Sequence, residues 1–144
     1  MPVPRSARGW IIRPSRFRLR KATDMTDALN VLVVEDDAII GTLLAELLTT
    51  MGHRVCAIES TEAGAVESAT RFLPDMMIVD ALLGEGSGVS AVATILRSRP
   101  VPHVFVSGNL SGIPGRGSSA ISLLKPYSEP QLAEAIDRAR AVGH

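Results

Sequence analysis

Four short apolar runs in this 144-residue chain each end at a polar side chain of a different chemical kind. The runs and the residues that follow them are VLVV before Glu35-Asp36-Asp37, MMIV before Asp80, VFV before Ser107, and ISLL before Lys125-Pro126. If the runs are neighbouring parallel strands, their carboxyl ends meet at the edge where open α/β sheets bind ligands. Carboxylates, which suit a hard cation, would then lie beside a hydroxyl and an ammonium group, which suit an anion.

The intervals between these polar residues fit repeated strand and helix units. Asp80 follows Asp36 by 44 residues, Ser107 follows Asp80 by 27, and Lys125 follows Ser107 by 18. One strand with its crossover helix needs about 30 residues or fewer. The first interval therefore fits two units and the others one each, which predicts five parallel strands. The last interval is short for a complete helix.

Hydrophobic periodicity alternates between continuous apolar runs and amphipathic stretches. It predicts strands at 29–34, 53–58, 76–79, 103–106 and 121–124. It predicts helices at 38–51, from 60 to about 72, at 89–97, and from 128 to about 142. The second helix is expected to bury Ala63, Val66, Ala69 and Leu73. Residues 109–120 contain three glycines and a proline, so a loop or a single frayed turn is expected there.

Composition excludes several classes of protein. Apolar residues make up 46% of the chain, yet no apolar run approaches the roughly 20 residues of a membrane span, so no membrane insertion is expected. The single cysteine, Cys56, excludes an internal disulfide, and its apolar neighbours indicate a buried, unreactive thiol. The histidines at 53, 103 and 144 follow no zinc-binding spacing, so we interpret them as structural or surface groups.

The net charge of zero conceals two oppositely charged parts. Residues 1–24 carry seven basic side chains and one acid, whereas the remaining 120 residues carry eight basic and fourteen acidic groups. An acidic body is unlike a nucleic-acid-binding domain. We predict a basic, disordered extension at 1–28 and a folded domain at 29–144. Three origins remain open for residues 1–24: an arm that contacts an anionic partner, a targeting segment, or translation upstream of a true start at Met25.

Four motifs together resemble the receiver domain of bacterial two-component response regulators. VLVVEDD resembles the acidic pair of that family, DALLGEGSG its phosphorylation loop, VFVSG its hydroxyl-bearing strand, and LLKPY its Lys-Pro. The resemblance extends from about Leu29 to the end of the chain. It implies a cytoplasmic α/β protein with a flavodoxin-like, doubly wound five-stranded parallel sheet in the order 2-1-3-4-5. Its fourth helix is expected to be irregular or missing.

The resemblance implies how a phosphoryl group would be bound. Asp80 would accept it, and Lys125 and the Ser107 hydroxyl would each contact one of its oxygens. Ala81 and Gly108, the residues after Asp80 and Ser107, would complete this phosphoryl-binding set. Without the resemblance, Asp80 could equally cap a loop, Ser107 could bond to local backbone, and Lys125 could be a solvated strand end.

The resemblance also implies a divalent cation. Mg²⁺, for which Mn²⁺ is expected to substitute, would be held by Asp36, Asp80 and the backbone carbonyl of Leu82, and by Glu35 through water. It would neutralise charge so that a carboxylate can attack an anionic phosphoryl group. Asp37 is expected to face solvent. The competing interpretation is that these acids only begin a helix, where carboxylates cap amides and complement the helix dipole.

The expected relay of the signal departs from that of many receivers. Ser122 stands three residues before the lysine, where an aromatic switch residue is usual, so we expect Ser107, Asn109 and Ser122 to act as the switch. PHVFVSGN resembles in part a receiver subfamily with a PFxFATG motif and a reduced fourth helix. We expect Mg²⁺ and phosphorylation to order residues 109–120. The resemblance further implies a cis bond before Pro126.

The implied protein is a stand-alone response regulator and not an enzyme. Its expected partners are a sensor histidine kinase, a histidine phosphotransfer protein or both, and a downstream protein target, with no nucleic acid. We expect a monomer or a weak dimer. The expected contact face runs from the loop after Ser107 through Ile121 to the last helix, where four polar residues should be exposed: Gln131, Glu134, Arg138 and Arg140.

Two other classes of function stay open. One is an interaction module that kept the receiver fold but does not depend on phosphorylation, although the nucleophile, acids and lysine are all retained. The other is a haloacid-dehalogenase-type phosphatase, which also uses an aspartate nucleophile and Mg²⁺. Such an enzyme needs a second acid two residues after the nucleophile, and Leu82 occupies that position.

Overall fold

The computed structural model describes residues 28–109 and 120–142. Its strands are β1 (Asn30–Val34), β2 (Arg54–Glu59), β3 (Met76–Asp80), β4 (His103–Ser107) and β5 (Ile121–Leu124). The helices within these residues are α1 (Ala38–Thr50), α2 (Glu62–Phe72), α3 (Gly88–Leu96) and α4 (Glu129–Val142). The strands form one parallel sheet in the order β2-β1-β3-β4-β5, which confirms the predicted flavodoxin-like topology.

Some predicted features lie outside the described residues. These are residues 1–27 of the predicted extension, including Met25, residues 110–119 of the predicted irregular segment with any fourth helix there, and His144. Within the described ranges, no helix is both long enough and apolar enough to cross a membrane.

The sheet separates two hydrophobic clusters because successive strand residues point to opposite faces. On one face, Val31, Val33 and Ile78 pack with buried residues of α1 and α4, among them Leu48 and Leu132. On the other face, residues of the same strands pack with α2 and α3; they are Leu32, Val34, Met77 and Val79. All five residues of β3 are buried, which explains why it lacks a polar alternation. The central strand therefore holds Asp80 on a rigid support.

The buried face of α2 differs from the predicted one. Ala69 is buried as predicted and Val66 is half-buried, but Ala63 is exposed and Leu73 is 60% exposed. Leu73 is the C-cap residue, where the helix ends in a left-handed conformation with φ 48°. The buried positions are instead Ala65, Ser68 and Ala69. The pattern missed Ser68 because it is polar; its hydroxyl donates to a carboxylate oxygen of Glu59 on β2.

Helix α1 carries more apolar surface than the sheet covers. Leu44 and Leu48 are buried, whereas Ile39 and Leu43 are 73% and 59% exposed. Ile40 is also exposed. The helix begins directly after the acidic residues that follow β1, so this apolar surface lies beside them.

Three side chains far from the acidic residues correct or refine predictions. His53 is buried, and its Nδ1 accepts a hydrogen bond from the Leu29 amide (3.1 Å). Cys56 is only half-buried because β2 is an edge strand, although burial raises the pKa of its thiol. Arg140 is half-buried rather than exposed, because it lines a cleft with Asp75 and Pro102. The other polar residues named on α4 are exposed as predicted: Gln131, Glu134 and Arg138.

Candidate functional site

The parallel register places the predicted polar residues at one edge of the sheet. Val34 pairs with Val79, and Asp80 pairs with Val106, so Glu35 and Asp80 end neighbouring strands at the same level. Ser107 ends β4 and pairs with Leu124, the residue before Lys125. The amide of Lys125 donates to the carbonyl oxygen of Ser107 (2.8 Å) and holds this strand end in place. The Lys125–Pro126 peptide bond is cis.

Three carboxylates converge at this edge. One oxygen each of Glu35, Asp36 and Asp80 lies within 4.8 Å of the other two. Glu35 and Asp80 are buried, whereas Asp36 is exposed. Hard oxygen donors at this spacing fit the coordination that Mg²⁺ or Mn²⁺ prefers. The arrangement can therefore hold a divalent cation that is reached from solvent on the side of Asp36.

Lys125 is the cation that this cluster contacts among the described residues. Its Nζ lies 3.0 Å from Oε1 of Glu35 and 3.2 Å from Oδ2 of Asp80. Burial alone would lower the pKa of Lys125, but the hydrogen bonds to Glu35 and Asp80 outweigh it and raise the pKa. Burial raises the pKa of Glu35, and the Asp80 charge acts in the same direction. One ammonium group thus balances part of a larger negative charge.

The loop after Asp80 is folded around the acidic residues by backbone amides. The Leu82 amide donates to Oδ1 of Asp80 (3.1 Å), and the Gly84 amide donates to Oδ2 of Asp36 (2.8 Å). The Gly88 amide donates to the carbonyl oxygen of Ala81 (3.1 Å). A Cβ atom at Gly88 would lie 1.9 Å from the backbone oxygen of Asp80, so only glycine fits there. The anchoring of this loop by Asp36 was not predicted from the sequence.

Ser107 is fully buried at the end of β4. Its hydroxyl oxygen accepts a hydrogen bond from the amide of Asn109 (3.3 Å), which is the local backbone contact that the sequence left open. Gly108 is exposed, and a Cβ atom there would meet nothing within 4 Å. Ser122 is half-buried on β5, where it pairs with Phe105. The switching roles of Ser107, Asn109 and Ser122 stay predictions.

Asp37 lies apart from the carboxylate cluster. It is exposed, and Oδ1 accepts hydrogen bonds from the amides of Ile39 (3.0 Å) and Ile40 (3.1 Å). Asp37 is therefore the N-cap of α1, as the helix-start interpretation of the acidic run expected. The three acids therefore have different roles. Glu35 and Asp36 belong to the carboxylate cluster, and Asp37 caps the start of α1.

Sequence reasoning missed one residue near the site. Glu62 is the first residue of α2, and its carboxylate accepts hydrogen bonds from the amide of Ser87 (3.0 Å) and the hydroxyl of Ser90 (2.6 Å). In the sequence it has the appearance of an ordinary helix-start acid. Only the packing of α2 beside α3 brings it to the loop that follows Asp80.

Comparison with protein families identifies residues 31–137 as a response regulator receiver domain. The chain is 30% identical over 124 residues to the phyllosphere-induced regulator PhyR of Methylorubrum extorquens, covering 82% of this chain and 45% of that protein. It is 31% identical over 113 residues to the transcriptional regulatory protein PdtaR of Mycobacterium tuberculosis, covering 76% of this chain and 55% of PdtaR. The chain thus spans about half the length of these relatives.

Solved structures show the same fold. The receiver domain of the Erythrobacter litoralis PhyR response regulator superposes with a TM-score of 0.69 at 26% identity, covering 80% of this chain and 92% of that domain. A PhyR stress response regulator superposes with a TM-score of 0.68 at 30% identity, covering 81% of this chain and 46% of that protein. The likeness therefore covers the sheet and helices that position the site.

Proposed function

The chain belongs to the response regulator receiver family, and on that basis we propose that Asp80 accepts a phosphoryl group from a histidine kinase or a histidine phosphotransfer protein. The observation that carries the proposal is the contact of Lys125 with Asp80 inside a cluster of three carboxylates. We further propose that residues 29–144 form the receiver domain. Its output would be contact with a downstream protein or onward transfer of the phosphoryl group.

Asp80 is the best-placed nucleophile of the three acids. Hydrogen bonding alone does not distinguish it from Glu35. Both oxygens of Glu35 accept hydrogen bonds, from Lys125 and from the amide of Asp37 (3.1 Å), and both oxygens of Asp80 accept them from Lys125 and the Leu82 amide. Asp36 is engaged by the amide of Gly84. Asp80 is buried on the central strand and lies beside the ammonium group that would neutralise an incoming phosphoryl oxygen. Its attack would form an O–P bond as the N–P bond of the phosphohistidine breaks.

Oxygen donors in the cluster fit a Mg²⁺ site, with Mn²⁺ as a substitute. Asp36, Asp80 and the carbonyl of Leu82 would hold the ion, and Glu35 would contact it through water. When bound, the ion supplies positive charge that lets an anionic nucleophile approach an anionic phosphoryl group. Lys125 and the Ser107 hydroxyl would hold two of the phosphoryl oxygens, and Ala81 and Gly108 would border them. The product is an acyl phosphate on the protein itself, so turnover of an external substrate is not part of the proposal.

An apolar surface beside the site supports a protein as the phosphodonor. Ile39, Ile40 and Leu43 are exposed on the first turns of α1, immediately after the acids that follow β1. Exposed apolar side chains that are grouped in this way mark interaction surfaces. A donor helix packed against them would bring its phosphohistidine to the edge of the sheet that carries Asp80.

Labelling with acetyl phosphate tests the phosphoacceptor. In the presence of Mg²⁺ we expect the intact mass to increase by one phosphoryl group, and we expect EDTA to prevent the increase. Asp80→Asn should abolish labelling because its amide is not a nucleophile for this reaction. Asp75→Asn makes the same change at the amino end of the same strand, and this variant should label normally. Undiminished labelling of Asp80→Asn would refute the assignment.

Substitutions on α1 test the donor surface separately from the chemistry. Ile39→Asp combined with Leu43→Asp should slow phosphotransfer from a cognate donor by at least about tenfold, because charge on an interface core costs several kcal/mol. Labelling by acetyl phosphate should not change. Leu73→Asp, at an equally exposed position on the far end of α2, is the control. Equal slowing by the control would contradict the placement of the donor on α1.

A further inference from the structure

We propose that Glu62 is a positioning residue that fixes the loop between Asp80 and α3, and thereby the backbone that the cation and phosphoryl group would contact. The inference rests on the proposed role of Asp80. It concerns a residue on a different helix, which touches neither the carboxylate cluster nor Lys125 in any contact the structure shows for the described residues.

Glu62 binds the loop and the first turn of α3 at three points. Its Oε1 accepts a hydrogen bond from the amide of Ser87 (3.0 Å), and its Oε2 accepts one from the hydroxyl of Ser90 (2.6 Å). Its own amide donates to the carbonyl oxygen of Glu85 (3.4 Å). Ser87 is the N-cap of α3. One side chain therefore joins the start of α2 to the end of the phosphoacceptor loop.

The loop is shaped to lie against Glu62. Gly86 has φ +84°, a conformation that favours glycine. A Cβ atom at Gly86 would also lie 2.7 Å from the Cβ of Glu62 and 2.6 Å from its Oε1. Both the backbone conformation and the close approach therefore require glycine at this position. Such a fit indicates a specific contact rather than an exposed acid that meets a loop by chance.

Two carboxylates anchor the loop at different points along the chain. The Gly84 amide donates to Asp36, which would itself bind the cation. Further along the chain, Glu62 holds Ser87 without belonging to the cluster. The loop residues between Asp80 and these anchors include Leu82, whose carbonyl is the proposed metal ligand. Loss of the Glu62 side chain would remove the anchor that lies outside the cluster. The loop would still be held by the hydrogen bonds of Gly84 to Asp36, Leu82 to Asp80 and Gly88 to Ala81.

Charge favours the contact. The hydrogen bonds from Ser90 and Ser87 lower the pKa of Glu62, so the carboxylate stays ionised and accepts both donors. The side chain also lies at the amino ends of α2 and α3, where a negative charge complements the helix dipoles.

Removal of the side chain tests the proposal. Glu62→Ala should weaken Mg²⁺ binding, measured by calorimetry, and slow labelling by acetyl phosphate, each by about tenfold, the lower end of the loss seen when residues that orient metal ligands are removed. Glu62→Gln should restore most of both, because its amide oxygen can still accept the Ser87 hydrogen bond. Ser90→Ala, which removes one bond and keeps the rest, should give a smaller loss of the same kind.

A matched control separates positioning from general charge. Glu67→Ala removes the same charge from an exposed position of the same helix and should leave Mg²⁺ affinity and labelling unchanged. Wild-type affinity and rate in folded Glu62→Ala would overturn the proposal, as would an equal loss in Glu67→Ala. If Glu62→Ala does not fold, the comparison of Glu62→Gln with Ser90→Ala decides, and wild-type behaviour of both would overturn it.

Amide hydrogen exchange distinguishes failure of this inference from failure of the proposed function. Ser87 should exchange faster in Glu62→Ala than in the wild type, whether or not the protein accepts a phosphoryl group. A wild type that takes no label would remove the role of Asp80 while leaving the anchor intact. If the wild type labels normally but Ser87 exchanges no faster in Glu62→Ala than in the wild type, the role of Glu62 alone is refuted.

Discussion

The two ends of the sheet use polar side chains in opposite ways. Near the amino end, three polar side chains each satisfy a backbone group of another segment: Asp75 accepts from the Asn30 amide (2.9 Å), Arg99 donates to the Pro74 carbonyl (2.6 Å), and His53 accepts from the Leu29 amide. At the carboxyl end, the carboxylates of Glu35, Asp36 and Asp80 lie close together, and Lys125 contacts those of Glu35 and Asp80.

This difference separates residues that hold the fold from residues that are proposed to perform the chemistry. The amino-end contacts join strands and loops without placing like charges side by side. At the carboxyl end, two buried carboxylates share a single ammonium group and lie beside a third, exposed carboxylate, which is unfavourable in a region of low dielectric. Natural proteins accept such local conflicts mainly at functional sites. The carboxyl end is therefore the region that a cation and a phosphoryl group would complete.

The largest expected effect is on the labelling rate, when a basic side chain at each end of the sheet is replaced by methionine. Lys125→Met keeps most of the apolar stem but removes the charge that would face the phosphoryl group, so labelling by acetyl phosphate should slow by about 100-fold. Arg140→Met removes a half-buried cation and should leave the labelling rate within about twofold, because Arg140 lines the cleft with Asp75 and Pro102 at the opposite end of the sheet from Asp80.

Intact-mass kinetics at fixed Mg²⁺ measure both rates. Thermal unfolding of each variant shows whether a slower rate reflects loss of the folded protein. If labelling slows to a similar extent in both folded variants, the specific role of Lys125 at the carboxyl end is contradicted.

Much of the carboxyl end could be predicted because strand ends are marked twice in the sequence, by the end of an apolar run and by a change to polar residues. All five strands and the four helices described lie within two residues of their predicted bounds. Chain order and spacing predicted the five strands, and the resemblance to receiver domains implied the strand order that brings Asp36, Asp80 and Lys125 together.

Contacts between helices could not be predicted in the same way. The inner face of α2 is made by Ala65, Ser68 and Ala69, whose small size rather than hydrophobicity suits close packing. Neither this choice nor the reach of Glu62 to Ser87 leaves a periodic signal in the sequence. Similarly, the half-buried state of Arg140 depends on how α4 lies over the sheet.

A smaller effect is expected from pH at the amino end. Burial lowers the pKa of His53, and the nearby Arg140 charge lowers it further, whereas Asp137 opposes this. Because Nδ1 accepts the Leu29 amide, the folded state favours the neutral ring. The free energy of unfolding should therefore be highest above the ordinary pKa of 6.5 and decrease as pH falls below it, by at most about 1.4 kcal/mol per pH unit.

His53→Asn supplies the matched control, because its side-chain oxygen can accept the same hydrogen bond without titrating. Urea unfolding from pH 7.5 to 5 should show a steeper loss of stability in the wild type than in the variant. The Asn variant should keep its labelling rate at every pH. If stability depends on pH in the same way in the two proteins, titration of His53 does not contribute to it.

The smallest effect on stability and labelling is expected from Asp37, the last acid of the run 35–37. Asp37→Asn keeps an N-cap that is as good as aspartate, so stability and labelling should each change by less than about twofold in the corresponding constant. Asp36→Asn, one residue earlier, should instead weaken Mg²⁺ binding strongly because it removes a ligand charge. Parallel titrations with Mg²⁺ compare them. Equal weakening would mean that the metal-binding pair is Asp36 and Asp37 and that the cluster is misassigned.

Mapping the phosphorylated residue is the most direct test of Asp80 as the phosphoacceptor. Protein labelled with acetyl phosphate and Mg²⁺ can be reduced with borohydride, which converts a phosphorylated aspartate to homoserine, and then mapped by peptide mass spectrometry. Homoserine is expected at position 80 alone. Homoserine at position 36 or 37, or none in a protein that gained the phosphoryl mass, would contradict it.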